Sequence, residues 1–424
     1  MELAVIPQLR RRTPPSKPHA LRDRLAEHVE GAVASMLDPV QIEAMAEDMG
    51  AVQRRRVHDA GLFTCALILS ALEREADAEG RWLDAASIYR QLGGPDSGMS
   101  SVRDLGRRML PVMHKLLQRR MKMIVDGAST VELRGRLRGF ADVLVPDGCA
   151  FKLASALSGF SPGTGQPAEL KLHAVYSVRA QTAVSVTPTA GNVHDSDGFE
   201  PTWEANALYI WDLGFQSVDR FVAGARAGAH VLQRLKDKHN PEIIASYGQH
   251  GGRRAIRDAY GARFRLEEAL ATGLVHKRDD LDLDVRLVDS AGRAIVARVV
   301  CVPTDGEDRY YLTTLPRGTF TAHDVAELYR VRWEVELFFK NWKGGVRMDH
   351  VHRMRNPTSL AVVVTASMLA ALLSRDVHAG LERLAEEATH PAIPANDNGP
   401  KDAQSIEAGS PPCGAATTRL ARQA

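Results

Sequence analysis

Two short apolar stretches, Ala141–Val145 and Ala207–Trp211, constrain this chain more than any other feature. Each reads as a buried strand, a brief run of apolar and β-forming residues bounded by turn formers. Each leads into an aspartate with a glycine close behind: Asp147-Gly148 and Asp212-Leu213-Gly214. An acid at a strand end, beside a residue that turns freely, can project into a cleft. A lone strand-end aspartate is usually a turn former; two in matched settings suggest a shared site. With a third carboxylate, Glu336, they supply the acids from which a metal site could be built.

Glu336 lies in a segment that reads as one helix from Thr321 to about Lys343, stopped by Gly344-Gly345. Tyr329, Arg332, Glu336 and Lys343 follow one another at spacings of three, four and seven residues, which puts all four on one helix face. As a solvated face, this would amount to an Arg332–Glu336 pair worth roughly a few tenths of a kcal/mol. The neighbouring Leu337, Phe338, Phe339 and Trp342 instead point to a helix packed into a domain.

Composition narrows the alternatives. The chain has 424 residues, 44% apolar and 25% charged, too apolar for wholesale disorder and long enough for several domains. The formal charge of +2 excludes a histone-like polycation, so any nucleic-acid role must rest on local patches. Cys65, Cys149, Cys301 and Cys413 stand far apart without a CxxC pair, which argues against a disulfide framework, a zinc ribbon or an iron–sulfur site. The N-terminal residues do not read as a secretory signal. The apolar run Leu360–Leu373 is shorter than the ~18–20 residues that span a bilayer, so it reads as a buried helix and no membrane role is expected.

The pattern along the chain divides it. Residues 1–20 are rich in Pro and Arg and read as a loose segment; residues 21–140 read as helical. One long helix is expected to start at Ser101, with Asp104 three residues on as a capping-box-like signal and Pro111 as a kink. Residues 101–140 carry ten Lys or Arg against three acids, and Arg107, Lys115 and Arg119 are candidates for phosphate contact. Strand patterns dominate 141–235, with a plausible hairpin about Arg179–Gln181 and a helix expected before Ala207. Residues 236–318 read as a β-rich insertion, 319–389 as returning helix, and 390–424 as a disordered tail of small and polar residues.

The spacing Tyr-x2-Arg-x3-Glu-x6-Lys at Tyr329, Arg332, Glu336 and Lys343 resembles the YREK signature of bacterial DDE transposases of the insertion-sequence-four family. Other pieces resemble that family in the same order. Asp147-Gly148 is similar to its first acid block, with Cys149 where Thr or Ser is commoner. Lys171-Leu-His173 resembles the strand that follows, and Thr189-Ala-Gly-Asn-Val-His-Asp195-Ser the turn before the second acid block. Asp212-Leu-Gly-Phe215 resembles that second block, and Val231-Leu-Gln-Arg234-Leu-Lys236 the strand after it. Some members stack a Trp of the β-rich insertion on a flipped base; here 236–318 holds no Trp, and Tyr247, Tyr260, Tyr310 and Tyr311 are its aromatic candidates.

The resemblance implies an α/β, ribonuclease-H-like mixed sheet with flanking helices. Asp147 would lie on its first strand, Asp212 on its fourth and Glu336 on a late helix. It implies two Mg²⁺ ions, replaceable by Mn²⁺, on Asp147, Asp212 and Glu336: hard cations take oxygen ligands, and a pair neutralises both the attacking and the leaving oxygen. The implied function is cut-and-paste DNA transposition, in which water frees a 3′-hydroxyl at the element's end and that hydroxyl attacks DNA. Tyr329, Arg332 and Lys343 would meet the DNA end, and Lys171, His173, Arg234 and Lys236 join the DNA-binding candidates. The N-terminal helices would bind inverted repeats, and a homodimer would assemble on paired ends, in the cytoplasm at the nucleoid. The alternatives are a domesticated DNA-binding protein that does not cut and a ribonuclease-H-like nuclease without strand transfer.

Overall fold

The computed structural model describes residues 17–52, 58–73, 80–126, 130–236, 239–247, 253–255, 264–272, 281–303, 308–346 and 348–389. The tail expected over 390–424, most of the loose N-terminal segment, Tyr260 and Cys413 lie outside the described residues.

The N-terminal region is built of α1 (Lys17–Met36), α2 (Pro39–Asp48), α3 (Ala60–Ser70), α4 (Gly80–Gln91) and α5 (Met99–Val125). Asp38 and Asp59 cap α2 and α3 by accepting backbone N–H groups of the first turn. Helix α3 is buried nearly all round, as its uninterrupted apolar sequence requires. Helix α5 departs from the sequence expectation: it starts at Met99, after Gly98, without a side-chain cap. Asp104 accepts from Arg107 at 3.0 Å rather than closing a capping box with Ser101. The helix runs on past Pro111, while Val102, Leu105, Met109, Val112, Met113 and Leu116 form its buried stripe.

The sheet follows. Its strands are β1 (Val143–Lys152), β2 (Glu169–Ser177), β3 (Thr182–Ala190), β4 (Leu208–Trp211), β5 (His230–Arg234), β6 (Glu242–Tyr247), β7 (Arg253–Ala255), β8 (Leu281–Val288), β9 (Ala294–Pro303) and β10 (Asp308–Thr313). Among the described residues they form one sheet, in the order β3-β2-β1-β4-β5-β10-β9-β8-β6-β7. The β1–β2–β3 meander is antiparallel, whereas β4 and β5 run parallel to β1. This is the ribonuclease-H-like arrangement. Strand β10 pairs antiparallel with β5, so the β-rich segment extends that sheet edge to edge.

Two regions depart from the expected helices. Residues 191–206 hold no helix: Gly191, Asn192, Asp195, Asp197, Gly198 and Pro201 favour turns. The segment is tied down by the Tyr209 hydroxyl, which donates to the Thr202 carbonyl at 2.6 Å and accepts the Glu204 N–H at 3.1 Å. The stretch 321–343 is broken into α8 (Ala322–Tyr329), a 3-10 turn at Arg330–Arg332, and α9 (Trp333–Gly344). In a 3-10 turn residues three apart eclipse, which brings Arg332 under Tyr329 more directly than an α-helix would.

Helix α6 (Val218–Arg226) covers one sheet face, and a short α7 (Leu266–Ala271) lies within the β-rich segment. Helix α10 (Pro357–Thr389) packs back on α1, α3 and α5. Its stretch Pro357–Glu382 is long and apolar enough to cross a membrane by length and composition, beyond the shorter run noted in the sequence; 72% of its apolar window is buried in the fold. The core that buries it is continuous from the N-terminal helices through β1 and β2 to α8 and α9.

Candidate active site

The sheet register brings the two aspartates level. Val143 and Leu144 of β1 stand opposite Leu208 and Tyr209 of β4. Continuing that register puts Asp147 beside Asp212, which directly follows β4 and opens the 3-10 turn Leu213–Phe215. The β4–β5 register likewise puts Arg234 level with Asp212. Asp147 stands within β1, which runs on to Lys152 paired with β2, rather than at the strand end its sequence setting suggested; Asp212 does lie just past the end of β4.

The α8–α9 segment closes the site. The Tyr329 hydroxyl donates to Asp212 Oδ1 at 3.2 Å. Its ring packs on Tyr311 of β10, with centroids 5.1 Å apart, and Tyr311 pairs across the sheet with Arg234. Arg332 and Glu336 form an ion pair at 2.6 Å, their side chains 18% and 34% exposed. The guanidinium is felt by all three acids. It pulls the Asp147 carboxyl downward, and although burial works to lower the Arg332 pKa, Glu336 and Asp212 hold it above its usual value. Burial pushes the Tyr329 hydroxyl far above its ordinary range, with the Asp212 charge acting the same way.

Asp147 is the most strained acid. Burial, reinforced by the charges of Asp195 and Asp212, pushes its pKa up to about 6, against the pull of the Gly148 N–H and Arg332. The Gly148 N–H donates to its Oδ1 at 2.8 Å. Negative charge at this point is thus under-compensated by the protein. The donor set of three carboxylates is the hard-oxygen chemistry that Mg²⁺ and Mn²⁺ take. Among the described residues, no three His, Cys, Asp or Glu side chains converge as a ready cage. Each acid is instead held by its own protein partner: Asp147 by Gly148, Asp212 by Tyr329 and Glu336 by Arg332.

The remaining candidates are spread more widely. Lys343 is exposed, its Nζ 5.7 Å from the centre of the Phe151 ring on β1. It also pulls down the Cys149 thiol, which burial pushes up. Lys171 is committed to Asp195 at 2.8 Å and to the Val193 carbonyl at 3.2 Å. His173 does not offer a DNA contact: it is 4% exposed and its Nε2 lies 2.8 Å from the Thr189 hydroxyl. The cause is its inward position on β2, a strand covered on that side by the 191–198 turn. Lys236 offers its backbone N–H to Gln216 at 3.0 Å. On α5, Lys115 and Arg119 are exposed, while Arg107 is tied to Ser359 of α10 at 3.1 Å as well as to Asp104.

The aromatic candidates of the insertion are also engaged. Tyr311 is buried against Tyr329, and Arg317 stacks on the Tyr247 ring at 3.4 Å while the Tyr247 hydroxyl donates to Asp284 at 2.7 Å. Asp195, read in the sequence only as part of a turn, pairs with Lys171, and its charge helps to raise the Asp147 pKa. It stands in the turn between the two aspartate strands, and a carboxylate following Asn-Val-His in such a turn is the signal that could have singled it out.

The sheet carries aspartates on β1 and just after β4, and a glutamate of a later helix is joined to Arg332, whose charge also acts on both aspartates. The chain belongs to the transposase DDE domain family, whose model matches residues 138–373. It is 25% identical over 259 residues to a Sinorhizobium fredii chain named as transposase y4zB, covering 61% of this chain and 66% of that one. It is 38% identical over 66 residues to the transposase for insertion sequence element IS421 of Escherichia coli, covering 16% and 18% of the two chains. To the transposase for insertion sequence element IS231B of Bacillus thuringiensis it is 22% identical over 248 residues, covering 50% and 52%. The chain therefore spans between about one fifth and just under two thirds of these relatives. Among solved structures, it is similar to a piggyBac transposase synaptic complex with hairpin DNA at 9% identity and a TM-score of 0.43, covering 85% and 76% of the two chains.

Proposed function

We propose that this chain is a DNA transposase of the cut-and-paste type, which cleaves DNA at the ends of its element and joins the freed 3′-hydroxyl to target DNA. Asp147, Asp212 and Glu336 would hold two divalent cations, Mg²⁺ or in its place Mn²⁺. The observation that supports this is the meeting of separate chain segments at one point. The β1–β4 register, continued, brings Asp147 level with Asp212 just past β4, Tyr329 is bonded to Asp212, and Arg332 is bonded to Glu336.

When bound, the cations would neutralise charge at the attacking and leaving oxygens and activate the nucleophile. The protein's part is positional. The sheet holds the two aspartates at fixed separation, and Tyr329 orients Asp212 from beneath rather than meeting the DNA. Glu336 turns from Arg332 toward the aspartates, which leaves the Arg332 fork free for bidentate contact with a phosphate. Lys343 adds a point charge farther along the same DNA path, and Arg234 lies beside Tyr329 at its floor. Lys115 and Arg119 on α5 would track the inverted repeat, with two copies of the chain on paired ends, in the cytoplasm.

Single-turnover cleavage of end DNA tests the reading. Glu336→Gln should lower the rate by roughly 100-fold or more while end binding stays level or rises, because a negative charge facing phosphate is removed. Arg332→Lys should weaken end engagement more than general DNA binding. Incubating a donor end with target plasmid should give joined products; nicked or linear DNA alone would identify a nuclease. Wild-type cleavage by Glu336→Gln would overturn the assignment.

A further inference from the structure

The pairing of β1 with β4 ends at Leu144 and Tyr209, short of the two aspartates. Beyond it Asp147 is held by β2, where it pairs with Ala174, and Asp212 opens the 3-10 turn that leads to α6. Among the described residues, no strand pairing joins 146–148 to 212–214. Strand alternation sends Asp147 to the sheet face of Val143 and Val145, and Gly148 to the opposite face, that of Leu144. On this reverse face a Cβ added to Gly148 would overlap Asp195 Oδ1. A Cβ on Gly214 would lie 3.9 Å from Asp195 Oδ2. The carboxylate therefore lies across both acid-bearing segments from behind, one oxygen toward each, and the missing side chain of Gly148 makes the room.

Asp195 is itself tied to both sides of this gap. Lys171 of β2 reaches Oδ1 at 2.8 Å and the Val193 carbonyl at 3.2 Å. Arg220 of α6 donates to the Ser196 carbonyl, which fastens the next residue to the helix that follows the Asp212 turn. His173 stands behind the carboxylate without holding it. The Thr189 hydroxyl has one proton, which it donates to the Ala190 carbonyl at 3.1 Å, so it accepts from His173 Nε2 at 2.8 Å. That leaves Nδ1 as a lone pair 3.7 Å from Oδ1, without a hydrogen-bond partner.

We propose that Asp195 is a positioning residue for the two aspartates: keyed between Gly148 and Gly214 on the reverse face of the sheet, it sets how far apart the Asp147 and Asp212 segments stand. This rests on the catalytic role proposed for Asp147 and Asp212. Asp195 lies on the face opposite to the Asp147 side chain, so it acts through the backbone beside the acids and not as a cation ligand. Lys171 and Arg220 carry the link to β2 on one side and α6 on the other, across the gap that the β1–β4 pairing leaves open.

Single-turnover cleavage of saturating end DNA by the full chain, with end affinity and melting temperature recorded for each variant, tests this. Asp195→Ala should slow cleavage on the order of tenfold or more and leave end affinity within about twofold, because misplacing reacting groups by roughly 1 Å costs up to about 100-fold. Asp195→Asn fills the same space and still accepts from Lys171, so it should restore the rate to within about threefold of the wild type. Gly148→Ala should slow cleavage by competing for the space of Oδ1. The double variant G148A/D195A, whose added methyl meets no carboxylate, should be no slower than Gly148→Ala alone. Wild-type cleavage by Asp195→Ala, with only its melting temperature lowered, would make Asp195 an anchor of its turn and overturn the proposal. Equal losses in Asp195→Asn and Asp195→Ala would overturn it too, since charge and not span would then matter, as would losses that multiply in the double variant. If Asp195→Ala does not fold, Gly148→Ala decides, and wild-type cleavage by that variant overturns the proposal. Wild-type cleavage by Asp147→Asn would remove the catalytic assignment and this proposal with it. An inactive Asp147→Asn beside an unaffected Asp195→Ala would overturn the positioning role alone.

Discussion

At the scale of single residues, Asp147 carries the electrostatic cost of the site. Its folded pKa of about 6 lies above the ordinary 3.8, so its contribution to stability is fully present below the unfolded value and is lost as pH rises through 6. A tenfold change in proton affinity corresponds to ~1.4 kcal/mol, and partial solvent access reduces the total to an order of 1–3 kcal/mol. In chelator, Asp147→Asn should therefore gain stability over the wild type between about pH 4 and pH 7 by that amount. Urea unfolding at both pH values checks it; a constant gap would mean that Asp147 is not the strained carboxyl. Asp282 shows the opposite sign. Burial would raise its pKa, but hydrogen bonds from Arg298 and Arg317 pull it below the usual range. The wild type should therefore lose stability relative to Asp282→Asn as pH falls below about 4, as followed by the same unfolding experiment.

At the scale of elements, two packing joints matter. Helices α5 and α10 are pinned by Asp376, which receives Arg120 across the interface and Arg375 from its own helix at 2.8 Å. All three side chains are largely buried, so removing the acid leaves two buried guanidinium groups without their carboxylate. Asp376→Ala should cost about 3–5 kcal/mol, whereas a surface pair such as Lys122–Asp126 should cost under about 1 kcal/mol when broken. Denaturant titration of the two variants distinguishes them. The other joint is the 3-10 turn between α8 and α9. It separates Tyr329, whose face is buried in the sheet, from Glu336, which remains accessible. Read as one continuous helix, the four signature residues would share a face; the turn instead divides them into a buried Tyr329, a half-buried Arg332–Glu336 pair and an exposed Lys343.

At the scale of the whole molecule, the N-terminal helices and the sheet share one core through α10. On the proposed reading, DNA held on α5 would thus be rigidly related to Asp147 on β1 and Asp212 just past β4. The charged face of α5 is uneven in what it can offer. Lys115→Ala with Arg119→Ala should flatten the log–log salt dependence of DNA binding by roughly 0.9 for each phosphate no longer neutralised, while Arg107→Ala, already tied to Ser359, should change the slope less. Titrations at several salt concentrations decide this, and equal slopes for all variants would return that face to ordinary solvated surface.

What the amino-acid sequence determined by itself was what depends on near neighbours. The strand character of 143–145 and 208–211, Asp212 at the end of its strand, and the spacing from Tyr329 to Lys343 are local patterns, legible because side-chain period and turn chemistry are local, whereas the run of β1 past Asp147 to Lys152 depends on its pairing with β2. The resemblance added the order in which the pieces must be assembled. The tertiary structure alone decided which neighbours each residue meets. It turned His173 inward, occupied Lys171 with Asp195, tied Arg107 to α10, and broke the signature helix at Arg330. It replaced the helix expected before Ala207 with irregular chain that sets Asp195 against Lys171. These outcomes depend on pairings between residues many tens of positions apart, whose energies exist only once the sheet register and the packing of α8, α9 and α10 bring them within a few ångströms.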